Sequence, residues 1–341
     1  MPADIPGEPA PPEHGSGAAP PDATSEPAPP EHGSGAAPPD ATSESAPPGH
    51  DGGPVPQAAA SELVTPVRRP RTGRNLPVAV GVGAGMGGLA ILTLFTVKAT
   101  FLIYMAVALG IALWELSRAL AARQIRLPVP PVAVGGAAAI ALAYWRGERP
   151  LAACLALTVI AILAWRLRGG ADGYLRDVTA GIFALAYLPL MACFVGLMLA
   201  APDGPRRILL FVILAVCSDV GGYFAGILLG HHPMAPVISP KKTWEGFGGS
   251  ALACLAGGAI ALPLLLGGAV WQGLLVGAAV LAAATLGDLT ESMIKRDLQI
   301  KDMGSVLPGH GGVLDRIDSL VLSAPVVWLL LLVFIPTVHH H

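Results

Sequence analysis

Nine long apolar segments follow one another between residues 78 and 338, and they constrain the fold more than any other feature of the sequence. Each is long enough, or nearly so, to cross about 30 Å of hydrocarbon as a helix. The segments are too long and too uniformly apolar for the alternating strands of a membrane barrel. The sequence therefore predicts an all-α fold, a polytopic integral membrane bundle of about nine transmembrane helices. The predicted spans are residues 78–97, 100–117, 129–145, 150–165, 178–201, 207–230, 246–266, 269–290 and 319–338.

The composition excludes an ordinary soluble enzyme and divides the chain into two parts of opposite charge. Hydrophobic residues make up 53% of the chain and charged residues 13%, whereas soluble domains carry about 25% charged residues. Residues 1–60 contain nine acidic and no basic residues, and residues 61–341 contain 21 basic and 14 acidic residues. The net charge of −2 therefore hides an acidic head and a cationic membrane part.

The acidic head is a repeat that lacks the apolar side chains needed to form a core. Residues 8–25 read EPAPPEHGSGAAPPDATS, and residues 26–43 repeat them without a change. Alanine and proline alone cannot offset the conformational entropy lost on folding. We therefore predict a disordered Pro/Ala/Gly-rich tail over residues 1–66, and we favour an inert duplication over a proline-rich ligand for a partner. The membrane domain is placed at residues 67–338, and the histidines at 339–341 are interpreted as a tag remnant.

The distribution of lysine and arginine predicts the orientation of the bundle. With the amino terminus in the cytoplasm, 16 basic residues fall on the cytoplasmic side and 5 on the outer side. This asymmetry agrees with the positive-inside rule. The same orientation puts all of the polar clusters described below on the cytoplasmic side, so we expect an active site that faces the cytoplasm.

Two polar clusters precede the last third of the chain. Ser218 and Asp219 lie inside the sixth predicted span, where a charge costs about 2.5–3.5 kcal/mol and indicates a functional position. A helix–helix hydrogen bond is the alternative interpretation of Asp219. Lys241 and Lys242 lie in a loop after that span, next to hydroxyl side chains and a glycine-rich helix start. Such a loop suits phosphate groups, although lysines are also ordinary at a cytoplasmic membrane surface.

The third cluster extends from residue 287 to residue 318 and is the richest in charge. In a helix, Asp288, Ser292 and Lys295 share one face. Asp315 and Asp318 share a face at the entry to the last span, after a turn at residues 308–312. Carboxylates beside lysines and arginines fit Mg²⁺ with a polyphosphate, since Mg²⁺ takes one or two carboxylates and completes its shell with water and substrate oxygens.

The run from Ser292 to Asp318 resembles the signature of the phosphatidate cytidylyltransferase (CDP-diacylglycerol synthase) family. That pattern is S-x-x-K-R, four residues, K-D, a small residue, then P-x-H-G-G-x-x-D-R-x-D. Trp114-Glu115-Leu116 is a weaker echo of the family, and His231 and His232 stand where the family often has a lysine. The fixed positions are met by Ser292, Lys295, Arg296, Lys301, Asp302, Pro308, His310, Gly311, Gly312, Asp315, Arg316 and Asp318.

The resemblance implies a multi-pass enzyme of the cell (inner or plasma) membrane that joins CTP to phosphatidic acid, giving CDP-diacylglycerol and pyrophosphate. Its partners would be these substrates and the lipid bilayer, with no nucleic acid, and a homodimer is a further expectation. Mg²⁺ is the expected cofactor, and the sequence leaves a second cation open. The expected metal ligands are Asp288, Asp315 and Asp318, and the catalytic set adds Lys295 and Arg296. The expected substrate-binding residues are Ser218, Asp219, Lys241, Lys242, Ser292, Lys301, His310, Gly311, Gly312 and Arg316.

The sequence leaves three alternative functions open. A CDP-alcohol phosphatidyltransferase needs an Asp-Gly and Ala-Arg pair followed by aspartates four apart, and the closing pair here is three apart. A transporter often has broken helices at corresponding positions of two halves, whereas these polar residues crowd the last third. A related CTP-dependent enzyme acting on another lipid phosphate is the third alternative.

Overall fold

The computed structural model describes residues 76–304, 306 and 311–336. The predicted tail at 1–66, Pro308, His310 and the terminal histidines lie outside these residues. Ten α-helices and one two-stranded sheet make up the described part. The helices are α1 Leu76–Thr96, α2 Lys98–Ala121, α3 Val129–Arg146, α4 Glu148–Leu167, α5 Tyr174–Leu185, α6 Met191–Ala200, α7 Gly204–Leu229, α8 Trp244–Leu266, α9 Val270–Asp297 and α10 Leu314–Phe334.

The predicted all-α membrane bundle is confirmed, but the number of nine spans is not. Within the described residues, seven helical segments are long and apolar enough to cross a membrane. The segment Tyr174–Ala200 is one of them, while α1 contributes only the shorter apolar stretch Gly83–Thr96. The other six are α2, α4, α7, α8, α9 and α10.

A π-helical turn, Ala186–Leu190, joins α5 to α6 and makes them one continuous span. Pro189 lies in this turn, where it cannot donate a backbone hydrogen bond, and a widened turn accommodates the loss. A Cβ atom at Gly136 of α3 would lie 2.7 Å from the Pro189 ring. The irregular turn is therefore packed closely against α3.

Glycines let α7, α8 and α9 approach one another at backbone distance. A Cβ atom at Gly221 of α7 would lie 2.6 Å from the carbonyl oxygen of Gly249 in α8. Gly258 and Gly273 meet in the same way between α8 and α9, since a Cβ atom on either would overlap the other's carbonyl group. Small residues allow such contact in membranes, where no hydrophobic force drives helices together. These contacts bring three polar segments to one end of the bundle.

The stretch between α7 and α8, interpreted above as a loop, is a β-hairpin. Strand β1 (Pro233–Ala235) pairs antiparallel with β2 (Ser239–Thr243). The Thr243 hydroxyl accepts a hydrogen bond from Gly246 N at 3.1 Å and caps α8. The hairpin thus presents Lys241 and Lys242 on a strand that leads directly into α8.

A buried ion pair fixes the junction of α4 and α5. Asp177 is fully buried, and its Oδ2 accepts a hydrogen bond from Arg166 Nε at 2.8 Å. Its Oδ1 accepts from Arg176 Nε at 3.2 Å and from the Arg126 backbone N–H at 3.0 Å. Because buried charges need partners, the carboxylate holds three segments in one arrangement.

Candidate active site

A pocket of about 270 Å³ opens between α7, the hairpin, α8 and α9. It receives Asp219 from α7, Lys241 and Lys242 from β2, and Asp288 from α9. Two predicted clusters and the first residue of the third therefore meet in one cavity. The lining residues are Ser218, Asp219, Gly222, Tyr223, Gly226, Met234, Lys241, Lys242, Thr243, Gly246, Phe247, Ser250, Thr285 and Asp288.

Lys242 and Asp288 form an ion pair across the pocket. Lys242 Nζ lies 2.6 Å from Asp288 Oδ2, and both side chains are about one quarter exposed, at 27% and 28%. The pair ties the hairpin to α9. The second carboxylate oxygen of Asp288 has no hydrogen-bond partner within the described ranges, so it is available to a cation that enters the pocket.

Ser218 and Asp219 have different environments although they are adjacent. The Ser218 carbonyl oxygen accepts a 2.6 Å hydrogen bond from the buried Ser250 hydroxyl, which joins α7 to α8 at the pocket wall. Asp219 is exposed to the pocket, and its carboxylate pairs with no side chain among the residues that the structure describes. The helix–helix hydrogen bond considered for Asp219 is therefore not seen in this part of the chain.

Asp315 lies in the first turn of α10 and ties the preceding segment together. Its Oδ2 accepts hydrogen bonds from Gly312 N at 2.8 Å and Met303 N at 3.0 Å. Its Oδ1 accepts from Lys295 Nζ at 3.0 Å. The carboxylate is buried, and Lys295 also contacts Glu291, one helical turn earlier on α9. Both Asp315 oxygens are thus engaged by the protein itself.

Asp318 lies on the side of α10 that faces Asp288. Its Oδ1 accepts a 2.9 Å hydrogen bond from Ser319 N. Gly287, next to Asp288, packs so closely on the Asp318 carbonyl group that a Cβ atom would overlap it. The contact between α9 and α10 therefore brings the Asp288 and Asp318 segments side by side.

The remaining predicted residues lie around the pocket and around Asp315. Ser292 is half-buried on α9, while Lys301 and Arg316 are exposed and form no ion pair within the described residues. Arg296 is exposed, and its Nε donates to the Ile238 carbonyl at 3.3 Å, a second tie between the hairpin and α9. Gly311 and Gly312 lie just before α10, and Gly311 has a φ of 84°, which favours glycine.

The two histidines that replace a frequent family lysine lie at the base of the hairpin. The His231 and His232 backbone N–H groups both donate to Glu245 Oε2 at 3.2 Å. His232 Nδ1 lies 2.5 Å from Glu245 Oε1. The histidines therefore fasten the hairpin to the first turn of α8, and neither lines the pocket.

The sequence analysis assigned no role to two carboxylates that the structure buries. Glu291 is 2% exposed and is held beside Lys295, and Glu115 on α2 is 1% exposed. Each has one buried oxygen without a hydrogen-bond partner in the described part of the chain. Both could have been found by the argument applied to Asp219, because each is an acidic residue in or next to an apolar span.

The acidic residues of the site suit a divalent cation in part. Among the described residues, no three His, Cys, Asp or Glu side chains form a ready metal cluster. Mg²⁺ does not require one, since it usually takes one or two carboxylates and completes its shell with water and phosphate oxygens. Asp288 meets this requirement through its unpartnered oxygen in the pocket. Asp315 would have to release a present hydrogen bond first, and its role as a ligand stays a prediction.

Known proteins are similar to this chain over most of its membrane part. Residues 78–334 match the cytidylyltransferase family. A phosphatidate cytidylyltransferase of Mycobacterium leprae is 38% identical over 278 residues, which cover 77% of this chain and 89% of the relative. A protein of the same name from Mycobacterium bovis is 37% identical over 274 residues, covering 76% and 90%. The Haemophilus influenzae protein of that name is 35% identical over 173 residues, covering 49% and 52%.

Proposed function

Because this chain belongs to the cytidylyltransferase family, we propose that it is a phosphatidate cytidylyltransferase that converts CTP and phosphatidic acid to CDP-diacylglycerol and pyrophosphate. The names of its relatives support this substrate pair. The observation that carries the proposal is the pocket in which two lysines and two carboxylates from three segments converge at one end of a membrane bundle. A lipid phosphate and a nucleotide triphosphate both need cations, which the two lysines supply, and the two carboxylates suit a metal ion.

The reaction sets a problem of charge rather than of proton transfer. A phosphate oxygen of phosphatidic acid attacks the α-phosphorus of CTP, a new P–O bond forms, and the bond to the β-phosphate breaks to release pyrophosphate. The nucleophile is already anionic at neutral pH, so it needs little help from a base. The anion must instead approach a triphosphate, and preorganised positive charge lowers that barrier.

The cations of the site fit this requirement. Lys242 reaches into the pocket from β2, and Lys241 lies beside it. We assign them to phosphate oxygens of the nucleotide or of the pyrophosphate that leaves. Four further cations would neutralise additional phosphate charge. Lys295 and Arg296 lie at the carboxyl end of α9, Lys301 follows that end, and Arg316 lies in the first turn of α10. The hydroxyls of Ser218 and Ser292 are weaker, neutral candidates for phosphate contacts.

The carboxylates would repel substrate phosphates unless a cation lies between them. We propose Mg²⁺ in this position, held by Asp288 with Asp315 and Asp318 close by, and a second cation stays open. When bound, Mg²⁺ would neutralise the phosphate oxygens around the reacting phosphorus. Asp288 is the best placed of the three, because it lines the pocket and one of its oxygens has no hydrogen-bond partner within the described residues.

The proposed location is the cell (inner or plasma) membrane, with the amino terminus and the active site in the cytoplasm. The distribution of 16 cytoplasmic against 5 outer basic residues supports this orientation. The hairpin, the end of α9 and the start of α10 are grouped at the same end of the helices. A homodimer is proposed from the family resemblance, and exposed apolar side chains on α7, such as Phe224 at 59% exposure, would be available for it.

The test is incorporation of labelled CTP into extractable lipid by the purified protein in detergent. We expect incorporation with phosphatidic acid and Mg²⁺, and its loss with a chelator. Asp288→Asn preserves side-chain volume but removes the charge, and we expect at least a 100-fold loss with unchanged thermal unfolding. The exposed Glu148 on α4 supplies the control Glu148→Gln, which should behave as the unmodified protein. No incorporation by the unmodified protein would refute the proposed function, and near-normal turnover by Asp288→Asn would remove Asp288 from the metal site.

A further inference from the structure

Glu115 is a buried acidic residue on a helix that supplies no side chain to the lining of the pocket. It lies on α2, and 1% of it is exposed. Its Oε2 accepts a 3.0 Å hydrogen bond from the backbone N–H of Leu314, the first residue of α10. The unpaired N–H groups and the dipole at a helix start both favour a carboxylate there. Glu115 therefore connects α2 to the start of the helix that carries Asp315.

Two glycines pack directly on the Glu115 carboxylate. A Cβ atom at Gly312 would lie 2.6 Å from Oε2, and a Cβ atom at Gly304 would overlap Oε1. Neither glycine has a positive φ, so alanine would suit the backbone at both positions. The need for glycine comes from the bulk of Glu115.

Glu115 and Asp315 hold the same two stretches of chain from opposite sides. Asp315 accepts hydrogen bonds from the N–H groups of Met303 and Gly312. Glu115 contacts Gly304 and Gly312 and binds Leu314. Residues 303–304 and 312–314 are the two ends of the segment that carries the centre of the signature. The two carboxylates together fix how these ends approach each other.

Burying the Glu115 carboxylate costs folding free energy, and this cost indicates a role beyond stability. Glu115 Oε1 is buried and has no hydrogen-bond partner within the described residues. Burying a carboxylate without full compensation opposes folding, and an apolar side chain would suit an interior position on α2 better. The benefit must therefore come from what the carboxylate positions.

We propose that Glu115 is a positioning residue for the reaction: from α2 it holds residues 303–304 and 312–314 in the arrangement that places Asp315 and Arg316 at the site. It touches no substrate and acts through the backbone of this segment. The inference rests on the proposed function, because that function gives the segment its chemical role.

The first test is a double-mutant cycle with Gly304, read as turnover of labelled CTP into lipid. Gly304→Ala alone should lower kcat at least tenfold, because the new methyl group meets Glu115. In a Glu115→Ala background, Gly304→Ala should lower kcat less than twofold, since the carboxylate is gone. In a Glu115→Gln background, Gly304→Ala should again lower kcat at least tenfold, because glutamine has the same bulk as glutamate. An equal loss from Gly304→Ala in the Glu115→Ala background and in the unmodified protein would overturn the proposal.

Conservative variants separate positioning from simple loss of a core residue. Glu115→Gln keeps an acceptor for Leu314 N–H and should retain at least one third of kcat. Glu115→Asp is one methylene shorter and should lose at least tenfold, although it keeps the charge. The opposite order, with aspartate active and glutamine inactive, would overturn the proposal. Glu148→Asp, at an exposed position of α4, is the matched control.

Hydrogen–deuterium exchange gives a readout that is independent of activity. In Glu115→Ala, peptides covering residues 303–316 should exchange at least tenfold faster, while peptides from α7 keep the rate of the unmodified protein. Unchanged exchange in 303–316 would overturn the positioning role and leave the proposed function intact. If the unmodified protein incorporates no CTP while Glu115→Ala still loses protection locally, the positioning role is supported and the proposed function is refuted.

Discussion

The ion pair between Lys242 and Asp288 predicts a measurable competition between a lysine and a metal ion. Lys242 Nζ lies 2.6 Å from Asp288 Oδ2, so its ammonium group and the proposed Mg²⁺ compete for the same carboxylate. A divalent cation at the other oxygen of Asp288 would weaken this pair, and the released lysine is then free to bind phosphate. Lys242→Met keeps a long apolar stem but removes the charge. We therefore expect Lys242→Met to bind metal more tightly and nucleotide more weakly.

The expected size follows from the exposure of the pair. Exposed ion pairs contribute about 0.2–1 kcal/mol. With side chains 27% and 28% exposed, solvent still screens this pair, and we take a value of about 1 kcal/mol from the upper end of that range. This energy corresponds to roughly fivefold tighter metal binding in the variant. Loss of one charge-assisted hydrogen bond to phosphate costs about 1.5–3 kcal/mol, so CTP should bind at least roughly tenfold more weakly.

The assay is titration of the purified protein with Mn²⁺, followed by electron paramagnetic resonance without nucleotide, and then titration with CTP. Lys241→Met is the matched control, because Lys241 is exposed, lines the same pocket and forms no ion pair in the described part of the chain. The control should weaken CTP binding and leave Mn²⁺ affinity unchanged. Equal or weaker Mn²⁺ binding by Lys242→Met would refute the competition.

Two further predictions concern the buried ion pair of Asp177 and the acidic tail. Asp177→Ala leaves the buried Arg166 without its main partner and should lower the free energy of unfolding by about 3–5 kcal/mol. The measurement is the unfolding temperature in detergent, which should fall. Asp172→Ala removes an exposed side chain and should leave that temperature unchanged. Deletion of residues 2–60 should leave turnover unchanged, because the repeat contains no basic or large apolar residues that would serve the reaction; a large loss would contradict the interpretation as an inert duplication.

Local sequence patterns placed the helices well and their ends less well. The span predicted at 269–290 is the helix Val270–Asp297. Hydropathy falls at Glu291, but the helix continues because Glu291 and Lys295 pair one turn apart inside the protein. The last helix begins at Leu314, before the predicted residue 319, since the carboxylates of Glu115 and Asp315 stabilise its first turn.

The signature contained the polar residues around Asp315, but it contained none of the residues that line the pocket. It identified Lys295, Arg296, Asp315 and Asp318 because their spacing is local and specific. It did not predict that Lys242 pairs with Asp288, or that the stretch carrying Lys242 is a β-strand. A short stretch rich in proline and lysine reads as a loop, and its pairing depends on how α7 and α8 position its two ends.

The sequence by itself determined the membrane bundle and the class of chemistry, while the orientation that it predicts stays a prediction. Long apolar runs must form helices in lipid, and charges at membrane depth persist where they have a role. The tertiary structure alone decided which charges meet. Glu115 binds Leu314 across 199 positions of the sequence, and that contact depends on how α2, α9 and α10 pack. Helix packing is set by side-chain shape over the whole interface, and no local pattern encodes it.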